Sequence, residues 1–244
     1  MRYLLLLMIF SVGAIAFSCY NPAETKAGTG FAVIELFTSE GCSSCPPTDK
    51  AVAALLKEHN SNVYVLGYHV DYWNNLGWKD IFSNAAYTQI QRDYAKSFKL
   101  SSVYTPQIVV NGREQFVGSD EKKLTNAVTK YLQQAPTSKL NIDATAGDDH
   151  KITVHYSTNA SNANLRIALI QLSADNKIQR GENSGATLHH INIVRNIKMV
   201  PVTVDGNVVL TVPEKLSTSD CRIIAFTQSV QDNKITTAAE TTIK

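Results

Sequence analysis

Gly41-Cys42-Ser43-Ser44-Cys45-Pro46-Pro47 is the stretch on which the reading of this chain turns. It follows an apolar run, Phe31 to Phe37, that reads as a buried strand. It precedes Thr48 to Lys57, whose apolar residues are spaced for a helix. Two cysteines separated by two residues at a strand-to-helix turn suit thiol–disulfide chemistry. The helix N-terminus leaves backbone N–H groups unpaired and favours a thiolate over a thiol. Prolines after the second cysteine fit the first helical turn, where no intrahelical bond is lost. Cys42 is expected to be the exposed nucleophile and Cys45 the resolving thiol. A structural disulfide is the competing reading, and half a zinc site is a third. Zinc would need further ligands, and the chain offers only Cys19 and Cys221 besides this pair, each alone.

Working outward towards the N-terminus, Met1-Arg2 and the apolar run Tyr3 to Phe17 read as a signal peptide, residues 1–18, too short for a stable membrane span. Ala16-Phe17-Ser18-Cys19 resembles a loose lipobox, with Cys19 as the lipid-modified first residue of the mature chain. Residues 19–29 read as a flexible tether. The expected location is therefore exported, in the periplasm or cell envelope, with the membrane touched only through a lipid on Cys19. About 225 residues remain, enough for one large or two small domains. A net charge of +2 gives no sign of a nucleic-acid partner.

Towards the C-terminus, residues 30–135 alternate strand and helix. Asn62 to Val70 is a second apolar strand, Ser83 to Phe98 a helix with Ser83 as its N-cap, and Glu121 to Gln133 a closing helix. Between them Gln107 to Val117 reads as two short strands joined by Asn111-Gly112, the strongest local signature of a tight hairpin. Tyr104-Thr105-Pro106 places a proline at the strand's start, where a missing N–H is tolerated.

This order of elements is similar to the thioredoxin fold. The resemblance implies a cis proline at Pro106 lying against the disulfide, with Thr105 offering its backbone to an extended substrate. More narrowly, Glu35 to Pro47, Gly67 to Trp73 and Gly181 to Arg195 resemble a family of exported bacterial proteins with a thioredoxin-like domain and no assigned function. Ser-Ser between the cysteines departs from the Gly-Pro of ordinary thioredoxins and alters the reduction potential.

Four further residues are candidate accessories. Glu35 is a carboxyl in an apolar strand, which either relays a proton to Cys45 or makes a structural hydrogen bond. Glu40 would oppose a Cys42 thiolate if it lay near the sulfur. His69, beside Asp71, is either a base or a structural strand-end histidine. Trp73, with Tyr72 and Trp78, either forms a substrate surface or caps the sheet end.

After Pro136 the pattern changes to about seven short strands with Asn, Asp and Gly turns, which predicts a β-sandwich over residues 136–244. The expected fold is thus an α/β thioredoxin-like domain, a mixed sheet flanked by helices, followed by an immunoglobulin-like sandwich. Gly181–Gly185, with His189 and His190, reads as a connecting loop or as one reaching the cysteine pair. Cys221 reads as a buried free thiol. No cofactor or resident metal is expected beyond a redox-active Cys42–Cys45 pair, and the expected partner is a protein bearing a thiol or disulfide. A non-catalytic binding module with a structural disulfide and a Cu(I)-handling protein are the rivals.

Overall fold

The computed structural model describes residues 30–59 and 61–244. The expected signal peptide and tether, and with them Cys19, lie outside the described residues. Strand β1 (Ala32–Thr38) runs into helix α1 (Cys45–Glu58), then β2 (Val63–His69), α2 (Ala85–Ser97), β3 (Gln107–Val110), β4 (Glu114–Val117) and α3 (Glu121–Leu132). The C-terminal half adds β5 (Leu140–Ala146), β6 (Lys151–Thr158), β7 (Ala163–Lys177), β8 (Thr187–Pro201), β9 (Asp205–Thr211), β10 (Cys221–Ser229) and β11 (Ile235–Thr241).

Most of these elements follow from the sequence pattern. α1 buries Cys45, Thr48, Asp49, Val52 and Leu55, a stripe at helical spacing. Asn111 and Gly112 both have positive φ, the conformation a two-residue turn between β3 and β4 requires. A Cβ on Gly112 would also lie 2.0 Å from the Asn233 carbonyl oxygen, so glycine is required twice over. The N-cap of α2 is Asn84, whose side chain accepts from the Ala86 N–H, and not Ser83, whose hydroxyl donates to the Asp80 carbonyl.

The assembly of the strands overturns the expected fold class. A helix-flanked thioredoxin-like domain and a separate immunoglobulin-like sandwich are not what forms. Among the described residues, eight strands from both halves make one mixed sheet in the order β11-β10-β7-β8-β2-β1-β3-β4. The second sheet has only three strands, β5-β6-β9, and strands outweigh the helices. The two halves meet where Gly67 of β2 pairs in parallel with Ile193 of β8. The absence of a side chain lets the strands meet there: a Cβ on Gly67 would lie 3.3 Å from the Asn192 carbonyl oxygen. Asn192 secures the contact by donating to the Val65 carbonyl at 3.2 Å.

Three apolar clusters fill the layers. One lies between the large sheet and α1 and α3, with Ile34, Leu36, Val52, Val65, Ile108 and Leu124. A second lies between the C-terminal strands and the three-stranded sheet, with Ile152, Val154, Leu165, Ile167 and Ile223. The third occupies the α2 face and draws on both halves at once. Phe37, Tyr68, Tyr94 and Val109 there share a core with Ile170, Val194, Ile224 and Phe226.

Alternation along β1 decides which side each residue serves. Ile34, Leu36 and Thr38 point towards α1, whereas Val33, Glu35 and Phe37 point to the shared core. Among the described residues no helix is long and apolar enough to cross a membrane.

Candidate functional site

Cys42 and Cys45 form a disulfide at the C-terminal end of β1, with Cys45 opening α1. Sequence reasoning expects an exposed Cys42, but both cysteines are fully buried. Ser43 and Ser44 between them are exposed. The cover comes from the segment joining β7 to β8. Asn183 Nδ2 donates to the carbonyls of Glu40 at 2.8 Å and Cys42 at 3.1 Å, and the Ser43 N–H donates to Glu182 Oε2 at 3.0 Å. The Gly181–Gly185 segment is therefore not a plain connection, since it clamps the cysteine loop. Gly181 packs on Trp78, whose Cβ would stand 3.1 Å from a Cβ at that position.

Asn183→Ala removes both carbonyl contacts of this clamp. At about 1 kcal/mol per hydrogen bond, reduction of the disulfide by a small thiol is expected to speed up by roughly five- to thirtyfold. Timed alkylation of freed thiols measures the rate, and an unchanged rate would show that the clamp does not limit access.

A buried polar group lies beside the cysteines. Asp49, four residues after Cys45 on the same helix face, accepts from the Thr38 hydroxyl at 3.1 Å. Glu40, fully buried, accepts from Trp78 Nε1 at 2.7 Å and Asn176 Nδ2 at 2.8 Å. His190 stands between the two, 3.4 Å from Glu40 and 3.5 Å from Asp49. His69 pairs with Asp80 at 2.7 Å, and its ring meets that of His190 edge-on at 4.8 Å. Burial works to raise the Asp80 pKa. The His69 charge and hydrogen bond, with N–H donors from Glu40 and Phe82, outweigh it and hold the carboxyl below its usual value. Thr38, Asp49, His69 and His190 line a pocket of about 10 Å³, close to the volume one water needs.

The remaining predicted residues divide between this site and others. Trp73 belongs here: its Nε1 donates to the Thr105 hydroxyl at 2.8 Å, and its Cβ packs on Gly41. The Thr105–Pro106 peptide is cis. Pro106 lies with Thr48 of α1 around Gly118, so it flanks the turn of helix that Cys45 opens. Glu35 is placed elsewhere, on the face of β1 away from α1. There it accepts from the Tyr94 hydroxyl. Burial raises its pKa, opposed by Arg166 and Tyr94. Cys221 is a buried free thiol whose pKa burial pushes up to about 11.

Asp49 and Asp80 are acids that sequence reasoning passed over, although an acid inside the apolar stripe of α1 is a visible signal. A groove of about 520 Å³ runs from Ser43 between Pro46, Pro47 and Lys50 of α1 and Leu188 and His189 of β8. Among the described residues, no group of three or more His, Cys, Asp or Glu side chains is arranged to hold a metal ion.

A family model described as "Protein of unknown function (DUF1223)" matches residues 33–228, which span the cysteine loop, the Trp73 segment and the clamp. The chain belongs to this family. No curated protein matches it. Among solved structures, this chain is similar in fold to a structural-genomics target from Agrobacterium tumefaciens at 23% identity and a TM-score of 0.62. That match covers 88% of this chain and 94% of the other. HBP35 of Porphyromonas gingivalis is similar at 15% identity and a TM-score of 0.62, over 89% of this chain and 76% of its own. At these identities the likeness extends to the fold alone.

Proposed function

We propose that this DUF1223 protein is an exported thiol–disulfide exchange protein, with Cys42 and Cys45 as its redox pair. The observation that supports it is the cluster of buried ionisable side chains, Glu40, Asp49, His69, Asp80 and His190, two of which (Glu40 and Asp49) flank the cysteine pair in the chain. A purely structural bond needs no such surroundings, and burying charge is costly unless it is paired.

In the oxidised form, a substrate thiolate attacks Cys42, the Cys42–Cys45 bond breaks, and Cys45 leaves as a thiolate that takes up a proton. A second substrate thiol then displaces Cys42. The substrate leaves as a disulfide, and two electrons and two protons have passed to the cysteine pair. Reversed, the Cys42 thiolate attacks a substrate disulfide and Cys45 resolves the mixed disulfide. Thr105 and Pro106 beside α1, with Trp73 holding Thr105, form the proposed contact for an extended protein substrate. The apolar run at residues 3–17 supports export, and an oxidising compartment supports a persistent disulfide. We extend this to a lipid anchor at Cys19.

The burial of both sulfurs favours a second reading, a structural staple in a binding module. The reduction potential separates the two. Equilibration of the full chain in glutathione buffers is expected to give a value between about −270 and −120 mV, the range of exchange proteins. A value below about −300 mV identifies a structural bond and overturns the exchange reading.

A further inference from the structure

His190 arrives on β8 from the C-terminal half and is only 3% exposed. Its Nε2 lies 3.4 Å from Glu40 Oε1 and its Nδ1 3.5 Å from Asp49 Oδ2. Glu40 stands two residues before Cys42 and Asp49 four residues after Cys45, so one imidazole bridges carboxylates on both sides of the redox loop. Nε2 has no aligned hydrogen-bond partner, which leaves charge as the substance of the Glu40 contact. The other neighbours are the His69 ring, with Asp80 behind it, and the Phe82 ring, over which the Arg195 guanidinium sits at 5.1 Å.

We propose that His190, held as an imidazolium between Glu40 and Asp49, is a positioning residue that sets the reduction potential of the Cys42–Cys45 pair. The inference rests on the exchange reading above and names the group that tunes it. Opening the disulfide takes two electrons from a dithiol partner. Where one sulfur stays a thiolate, it adds a negative charge to a region that already holds two carboxylates. Like charges at close range disfavour the ionised form. The single positive charge of the imidazolium offsets part of this negative charge, so the reduced pair is stabilised relative to a site without it and the protein becomes a stronger oxidant. Burial pulls the His190 pKa down, but the facing Asp49 and Glu40 carboxylates lift it up to about 9, so the ring carries its proton at neutral pH. The same contacts join the two halves of the chain. The C-terminal half therefore supplies a working part of the site as well as its cover.

The test compares the full chain with its His190→Gln variant in glutathione buffers at pH 7. The variant is expected to favour the disulfide by at least about threefold, tenfold being about 30 mV for a two-electron couple. An unchanged equilibrium constant in a folded variant overturns the His190 role while leaving exchange intact. A wild-type pair that glutathione does not open overturns both. A measurement on the wild type alone covers a variant that fails to fold. The His190 ring is titrated by NMR in the oxidised and reduced proteins. Coupling is reciprocal, so a midpoint that rises on reduction supports the proposal, and identical midpoints overturn it.

Discussion

Cys42→Ser protein is expected to exchange disulfides with glutathione no faster than buffer, whereas Cys45→Ser protein is expected to accumulate a glutathione adduct. The two outcomes differ because the cysteines differ in place. Cys42 lies in the loop beside exposed Ser43 and Ser44, and Cys45 is the first residue of α1. A substrate sulfur that lands on Cys42 forms a mixed disulfide, which only the second cysteine can release. With Cys45 replaced, that intermediate persists and intact-mass spectrometry detects it. With Cys42 replaced, the remaining thiol is fully buried at the start of the helix. Adduct formation on Cys42→Ser but not on Cys45→Ser would reverse the assigned order of attack. Exchange by neither the wild type nor Cys45→Ser would leave the staple reading in its place.

Phe226→Ala is expected to destabilise the whole chain by about 3–5 kcal/mol, the usual range for removing a buried phenylalanine. That is a large share of a stability of about 5–15 kcal/mol. Phe226 lies on β10 in the C-terminal half, fully buried in the cluster that holds Phe37, Tyr68 and Tyr94. Both tryptophans of the chain, Trp73 and Trp78, are in the N-terminal half. Tryptophan fluorescence therefore reports on one half while the substitution strikes the other. Because the core is shared, the fluorescence melting point is expected to fall by about 6–20 °C, at about 2–4 °C per kcal/mol for a chain of this size. Two independently folding halves would leave the fluorescence transition where it was and move only the far-ultraviolet signal.

The sequence carries local structure well and assembly poorly. β1, β2, the Asn111-Gly112 hairpin, α1 and α3 are legible because hydrophobic period, proline and turn glycine act within a few residues. Backbone hydrogen bonds are blind to side-chain identity, so no pattern announces that β2 borders β8 as well as β1. The fold class fails on that point. Gly67 is the one trace of the junction, and a lone glycine in a strand reads equally as a bulge.

The same division runs through the site. The cysteine pair stands out by its spacing and Thr105 and Pro106 by resemblance, and the structure joins Trp73 to Thr105 through a hydrogen bond. Glu35 was attractive as a buried acid, yet the strand's two-residue period turns it away from the helix that carries Cys45. Asp49 and His190 acquire meaning only as neighbours, and they become neighbours through the sheet order that the sequence does not display.

The pairing of Gly67 with Ile193 also has a consequence in time. As the chain leaves the ribosome or a translocation channel, β2 emerges long before β8 and lacks its second partner strand until β8 is out. Contacts so distant in sequence make folding slow and leave apolar surface exposed meanwhile. Cys42 and Cys45 are open to oxidants and to other thiols during that interval. The clamp of Asn183 can close only once β7 and β8 have formed. The nascent protein is thus chemically most accessible before it is complete, and the formation of β7 and β8 ends that exposure.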